Sequence, residues 1–400
     1  MSKKPGPATR PDAPFAHIIA GATSEDEQLR ALDAAAQHAV TLPAAASVVG
    51  APVTAVAIGY RGHPRAGLTL SCVRDGRRFR LGLADAVFPD GSQGARFVSL
   101  YRAWLGIDAL EPAEPVVGGV GTDGIVGERV ELVVLACRQS ALRCRVLGTT
   151  REVTLRTSVR DEVPGSVLVV TPTRQWTHAR HPYLSGTITG TRVDAAALGL
   201  TALALHEQGD WDPEEEDWGA EDEPIEDWAR PIIARGKRPM FEMEQIIPDA
   251  NPEDFEADPI LAAVELCQAG DRRGARDHLM KLLAKDLRCL DAHAHLGNLE
   301  FDRRPQQALA HYAMGTAIGA HSLGQDFAGV LPWGFIDNRP FLRCLHGVGL
   351  CAWRLGDLRT AKARFTQMLW LNPRDNQGAR FNLAAVTTGK TWADMADEEP

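Results

Sequence analysis

The hydrophobic pattern switches repeatedly between a helical and a strand period along the chain. Residues 24–39 open with a capping box, Ser24 followed by Glu27, and predict an Ala/Leu-rich helix ending near Leu42-Pro43. From Val53 the texture becomes that of strands. VTAVAIGY, GLTLSCV and RRFRLGLA surround the turn at Asp75-Gly76, a strong hairpin signal. Residues 95–106 predict a short amphipathic helix closing this unit, and Pro112 to Gly127 is a Gly/Pro-rich linker. A second β unit follows, with strands expected at 129–138, 141–147, 151–157 and 166–171 and continuing through QWTHARHPYLSGTITG. VDAAALGLTALALHE, residues 193–207, predicts a helix that ends the β half.

The two β units look related. LTLSCVRDGRRFRLGL and LRCRVLGTTREVTLRT both run strand, glycine turn, strand, with Cys72 and Cys144 in matching places. Antiparallel units of this length most often close into compact barrels or sandwiches.

Charge sharpens the division. The net charge is −9, yet residues 1–192 hold 22 Lys+Arg against 17 Asp+Glu, and residues 259–400 hold 17 against 15. The acid lies between: residues 210–227 contain eleven Asp or Glu and no basic residue, with Trp211, Trp218 and Trp228 in or beside the run. Such a strap is a polyelectrolyte segment between folded parts. It docks on a basic partner or packs on the chain's own basic-leaning β half, and the second role is favoured.

Composition excludes some classes. Hydrophobic content of 44% and charged content of 24% over 400 residues are those of a globular chain of two or three domains. There is no apolar run of membrane-spanning length, and the N-terminal lysines have no hydrophobic stretch behind them, so a soluble cytoplasmic protein is expected. Seven scattered cysteines without a CxxC pair point to reduced thiols.

The C-terminal third carries an internal repeat. FLRCLHGVGLCAWRLGDLRTAKARFTQMLWLNP places a small residue at Gly349, a Leu-Gly-Asp turn at 355–357, Ala361, Phe365 and a closing Pro373. A second copy has Leu296, Gly297, Ala308 and Tyr312 in the corresponding places; a third, weaker one has Gly270-Asp271, Ala275 and Leu279. Leu358, Ala361, Phe365, Met368 and Leu369 share one helical stripe. These copies resemble tetratricopeptide repeats, paired antiparallel helices of about 34 residues. Roughly nineteen residues are inserted around HSLGQDFAGVLPWGFIDNRP, since Ala308 and Ala361 stand 53 apart. The layout is similar to that of bacterial tetratricopeptide proteins, which lend no activity.

The resemblance implies a concave groove lined by the first helix of each pair. Its groove positions fall on Arg343, His346, Leu350 and Trp353, and on Asp291, Ala294, Asn298 and Phe301. Arg343 would grip a carboxylate, Asn298 would pair with peptide backbone, and Trp353 and Phe301 would anchor apolar groups. The groove that holds a C-terminal carboxylate is not reproduced, because Ile260 and Val264 stand at its polar positions. Trp333 and Phe335 of the insert either lie over the groove as a lid or cap exposed helices.

Other constellations are weaker. Gly119-Val-Gly121-Thr-Asp-Gly124 has a Pro-rich linker before it and a strand after it, so it reads as a loop and not a nucleotide fingerprint. Asp291, His293 and His295, two apart on a helix, face different ways and read as packing and surface. His178 and His181 read as a structural or binding loop, having no nucleophile motif nearby. Cys344 and Cys351 read as repeat core. Arg74, Arg77, Arg78 and Arg80 flank Phe79 in a hairpin; this is the composition of an RNA-binding surface, but with a balance of only +5 over residues 1–192 they read first as solvated hairpin arginines.

The expected fold is α+β: two small antiparallel β modules with flanking helices, then an all-α tetratricopeptide-like helical array. The expected boundaries are a tail over 1–20, a first module over 21–110, a linker over 111–127, a second module over 128–208, an acidic linker over 209–258, repeats over 259–390 and a tail over 391–400. A non-enzymatic adaptor or scaffold is expected, holding a peptide or protein, without cofactor or metal and without a membrane. The alternative is an RNA-associated factor whose basic β modules touch nucleic acid while the repeats recruit a partner.

Overall fold

The computed structural model describes residues 15, 17–22, 24–48, 51–64, 66–74, 76–105, 127–138, 141–157, 162–218, 224–251 and 258–398. The stretch Gly119–Gly124 and nearly all of the 111–127 linker lie outside them. The chain forms two units, Met1–Pro115 with Glu300–Gln306, and Val116–Leu299 with Gln307–Pro400.

In the first unit, α1 (Glu25–Ala39) starts on the expected capping box: Ser24 Oγ accepts from the Glu27 N–H at 3.2 Å, and Glu27 Oε2 accepts from the Ser24 N–H at 3.3 Å. It buries Leu29, Leu32 and Ala36, spaced by one helical turn. Strands β1 (Ala44–Val48), β2 (Ala51–Gly59), β3 (Thr69–Arg74) and β4 (Arg77–Gly82) pair antiparallel in chain order. Helix α2 (Gln93–Trp104) completes the core with Phe97, Val98 and Tyr101. Buried Tyr101 accepts from the Leu68 N–H at 2.7 Å, and desolvation pushes its phenol up to about 12. The described part of the expected tail is not loose, because Phe15 and Ile19 are buried in this core.

The second unit begins with a closed barrel of β5 (Val130–Arg138), β6 (Ala141–Val146), β7 (Glu152–Arg156), β8 (Val167–His178) and β9 (His181–Arg192), in the order β5-β6-β7-β9-β8. Alternation sends Leu132, Val134, Leu142, Cys144, Val153, Leu155, Leu168, Val170 and Leu184 inward, where they fill the interior. Closure leaves no free sheet edge. The expectation of a purely antiparallel module is corrected here, since β7 and β9 pair in parallel. Cys72 and Cys144 do occupy like places, each buried on the first strand of a hairpin, but an open meander and a closed barrel surround them.

No helix forms over 193–207. Asp194 caps the Ala197 N–H at 3.0 Å, two short turns close on Ala195 and Ala196, and Gly199 ends them at φ +65°. Leu198 and Leu203 are buried and the chain leaves in an extended form, so tertiary burial overrides Ala/Leu helix propensity. The acidic strap is likewise no loose linker. β10 (Leu205–Trp211) pairs antiparallel with β11 (Arg238–Met243), with the short α3 (Arg230–Arg235) between. Trp211, Trp218 and Trp228 pack together, with neighbouring centroids 6.3 and 5.9 Å apart, in the core that also holds the helices. Arg238 is buried between the rings of Trp211 (4.9 Å) and Trp370 (4.4 Å).

Among the described residues the helices then follow as α4 (Pro259–Gln268) with α5 (Arg272–Lys285), α6 (Leu290–Glu300) with α7 (Pro305–Leu323), and α8 (Arg339–Arg354) with α9 (Leu358–Leu371); α10 (Ala379–Thr387) packs on α9, and α11 (Trp392–Glu398) on α8. The Gly270-Asp271 and Gly356-Asp357 turns are alike: each glycine sits at φ +85°, and each aspartate caps the N–H three residues on. Gly297 and Gly349 have no room for a side chain. A Cβ would lie 2.3 Å from Tyr312 at the first and 2.6 Å from Phe365 at the second. The expected C-terminal tail contains α11, whose Trp392 packs on Trp353. Across this unit the barrel's Val133, Val163 and Val167, the strap tryptophans and the buried faces of α7, α8 and α9 share one hydrophobic core.

Candidate functional site

The helix stripes of the second unit decide which of the expected groove residues meet solvent. Helix α8 is amphipathic. Its Phe341, Leu342, Leu345 and Val348 turn inward and Arg343 outward, with 36% of its side chain exposed. Arg343 Nη1 donates to Asp291 Oδ1 on α6 at 3.2 Å. Its guanidinium carbon lies 5.7 Å from the centroid of Trp333, an insert residue that Arg339 also approaches at 5.4 Å. Arg339 Nε donates to the Trp333 carbonyl at 3.0 Å, which ties the insert to the start of α8.

Asp291 is the hub of this cluster. It accepts from Gln245 Nε2 at 2.9 Å, and His295 stands 3.8 Å away. Burial raises its carboxyl above the ordinary value, against the opposing pull of His295 and Arg343. Burial likewise pulls His295 down. His293 turns away from the cluster, as the two-residue spacing implied, and packs fully buried beside His311 at 5.9 Å. Among the described residues no group of three or more His, Cys, Asp or Glu is placed to hold a metal ion.

The remaining groove positions separate. Asn298 is exposed and its Oδ1 accepts from the Tyr312 hydroxyl at 2.6 Å. His346 is held by Asn382 at 2.9 Å, edge-on to Phe365, and burial lowers it to about 4, so its ring is neutral at pH 7. Leu350 is half-buried against the core and Ala294 is buried. Trp353 is 3% exposed, donates Nε1–H to the Lys390 carbonyl at 2.8 Å and is covered by Trp392. It is therefore a core residue and not the open anchor expected of it, because α11 lies on α8 where the sequence pattern left a tail. Phe301 falls in the 300–306 segment of the first unit and is half-buried.

Sequence reasoning missed Asp291 as an acceptor, Arg339 and Gln245. The signals at hand were the groove position of Asp291 in the middle repeat copy and, for Arg339, the neighbouring PWGF insert. The insert is ordered: Trp333 N–H donates to Asn372 Oδ1 at 3.2 Å, while Asn338 accepts from the Met243 N–H and donates to the carbonyls of Phe241 and Pro332.

The other sequence candidates are placed as follows. In the first unit, Phe79 pairs with buried Cys72, so alternation turns it to the core side, opposite Arg78 and Arg80. The arginine hairpin is thus not interleaved with an exposed aromatic. Cys344 and Cys351 are buried in the helical region. His178 and His181 are not in a loop but close β8 and open β9, with Ala179 and Arg180 making the two-residue turn at positive φ. Among the described residues no helix is long and apolar enough to cross a membrane.

The architecture is α+β, with the helices gathered toward the C-terminus. No family model, curated protein or solved structure matches the chain.

Proposed function

We propose that this is a binding protein, an adaptor that holds an acidic peptide or protein segment against the α6–α8 face of a tetratricopeptide-like array. The helix pairing supports the repeat reading, because the small residue of each first helix meets the aromatic of its second helix at Gly297–Tyr312 and Gly349–Phe365.

One observation carries the binding reading. Arg343 is a partly exposed guanidinium oriented in advance by Asp291 and backed by Trp333, with Arg339 on the same indole. A pre-oriented guanidinium loses little freedom when it takes a second carboxylate, and its planar fork suits bidentate capture. Asn298 adds an exposed amide for peptide backbone, and Trp333 replaces Trp353 as the aromatic anchor of this face.

The test is a panel of fluorescent peptides with Asp and Glu at varied spacing. Fluorescence polarisation should pick out a subset that binds. Arg343→Ala should weaken that subset by about 1–3 kcal/mol, the usual range for an anchor, at an unchanged melting temperature. If no acidic peptide binds, or if Arg343→Ala and Asn298→Ala bind like wild type, this face is not the adaptor site.

A further inference from the structure

We propose a second binding site, on the outer face of the barrel, whose ligand is single-stranded nucleic acid.

Register brings its residues together. Arg143 on β6 pairs with Thr154 on β7, Thr154 with Tyr183 on β9, and Tyr183 with Trp176 on β8. Their neighbours Leu142, Cys144, Val153, Leu155 and Leu184 fill the barrel, so this row of four lies on the outside. Trp176 and Tyr183 stack with centroids 5.5 Å apart and planes 13° from parallel. Arg174 lies over the Trp176 ring at 5.5 Å, and His181 meets Tyr183 edge-on at 5.1 Å while touching Thr154 Oγ1 at 2.8 Å through Nε2. The near half of β8 is buried at Val167, Leu168, Val169 and Val170; beyond Pro172 its outward side chains meet solvent, and the turn at Ala179-Arg180 ends the hairpin.

The charge distribution agrees. Residues 1–140 hold 14 Lys+Arg and 14 Asp+Glu, whereas residues 141–192 hold eight arginines and three acids. The whole positive excess of the β half therefore falls within residues 141–192. Glu152, an acid on this face, is neutralised by a bidentate pair with Arg143 at 2.8 and 2.9 Å.

A cross-strand aromatic pair also stabilises a hairpin. What it does not require is a fringe of arginine and histidine around half-buried rings on the outer wall of the barrel. Aromatic faces stack unpaired bases irrespective of sequence, and surrounding arginines take the phosphates. A duplex keeps its bases stacked inside and offers no such face, so the ligand is a single strand. This site is independent of the α6–α8 face and of the arginine hairpin in the first unit.

The experiment uses the full chain and fluorescein-labelled oligo-dT and oligo-rU of twelve nucleotides, a twelve-pair duplex, and heparin as a polyanion without bases. At low salt the single strands should bind at least tenfold more tightly than the duplex, and the tighter of the two sugars names DNA or RNA as the source. Trp176→Ala with Tyr183→Ala should lower affinity at least tenfold, and Trp176→Phe should restore most of it. Arg174→Gln with Arg180→Gln leaves the rings in place and should flatten the salt dependence by about 1.4 in log–log slope, the share of two phosphate contacts on a single strand. Circular dichroism on each variant separates lost binding from a lost hairpin. The proposal is overturned if single strands do not bind at low salt, or if heparin competes equally while the aromatic variants bind like wild type. It is overturned too if binding disappears only in an Arg77/Arg78/Arg80 alanine variant.

Discussion

Trp353 and Trp392 meet edge to face, their ring centroids 5.3 Å apart and their planes at 85°. This contact turns a groove position into the seam between α8 and α11. Trp353→Ala should cost about 3–5 kcal/mol, because it empties a buried indole site and leaves the Lys390 carbonyl without its donor. Urea unfolding of the full chain measures it. A cost below 1 kcal/mol would mean that the ring is not part of the core, and would return it to the list of surface anchors.

A backbone contact at Gly297 makes the repeat geometry testable. Adding a methyl group there drives it into the Tyr312 ring, 2.3 Å away, so Gly297→Ala should destabilise by roughly 1–3 kcal/mol through overpacking. Tyr312→Leu removes the obstacle, and in that background the same change should cost clearly less. Additive losses in the double-mutant cycle would show that the two residues do not touch.

Local signals were legible and distant pairings were not. The Ser24–Glu27 box, the hairpin at 74–77 and the Gly356-Asp357 turn each depend on a few adjacent residues. Strand β10, LHEQGDW, looked like the end of a helix running into an acidic linker because its partner, RPMFEM, lies some thirty residues on. The outer barrel row needs the parallel β7–β9 register, which puts Thr154 beside Tyr183 and has no trace in either segment alone. Arg343 and Asp291 both fall on groove positions of the repeat pattern, but the ion pair between them was not legible, since a buried acid on a polar stripe resembles an exposed one until its neighbours are placed.

Acid should destabilise this fold before its ordinary carboxylates titrate. Burial lowers His293 from 6.5 to about 4. Between those values the unfolded chain binds a proton that the folded chain refuses, so stability falls as pH drops through the window. For a fully buried histidine the loss reaches roughly 3 kcal/mol at pH 4. Asp291 works in the opposite direction, since its folded carboxyl takes up a proton first. The check is urea unfolding from pH 7 to 4.5 on wild type and His293→Gln, whose amide can still reach the Leu287 carbonyl that His293 Nε2 contacts at 3.2 Å. The variant should show a shallower pH slope; an identical slope would mean that His293 titrates normally in the fold.

The strap should make 259–400 dependent on what precedes it. Arg238 Nη1 donates to the Trp370 carbonyl at 2.8 Å, Phe241 N–H donates to Val330 at 3.0 Å, and the Leu203 N–H donates to Ser322 Oγ at 2.8 Å. On the barrel side, Gly165 leaves room for Met314 of α7, whose Sδ would stand 2.8 Å from an added Cβ. A fragment of 259–400 loses all of these partners and exposes the side of α7 and α9 that they cover. Losing several kcal/mol from a domain of this size lowers the melting temperature by about 10 °C or more. Supplying 116–258 as a separate chain should recover much of that loss by binding the folded state. If 259–400 alone melts cooperatively at the temperature of the full chain, the shared core contributes little and the acidic segment is the linker that its composition suggested.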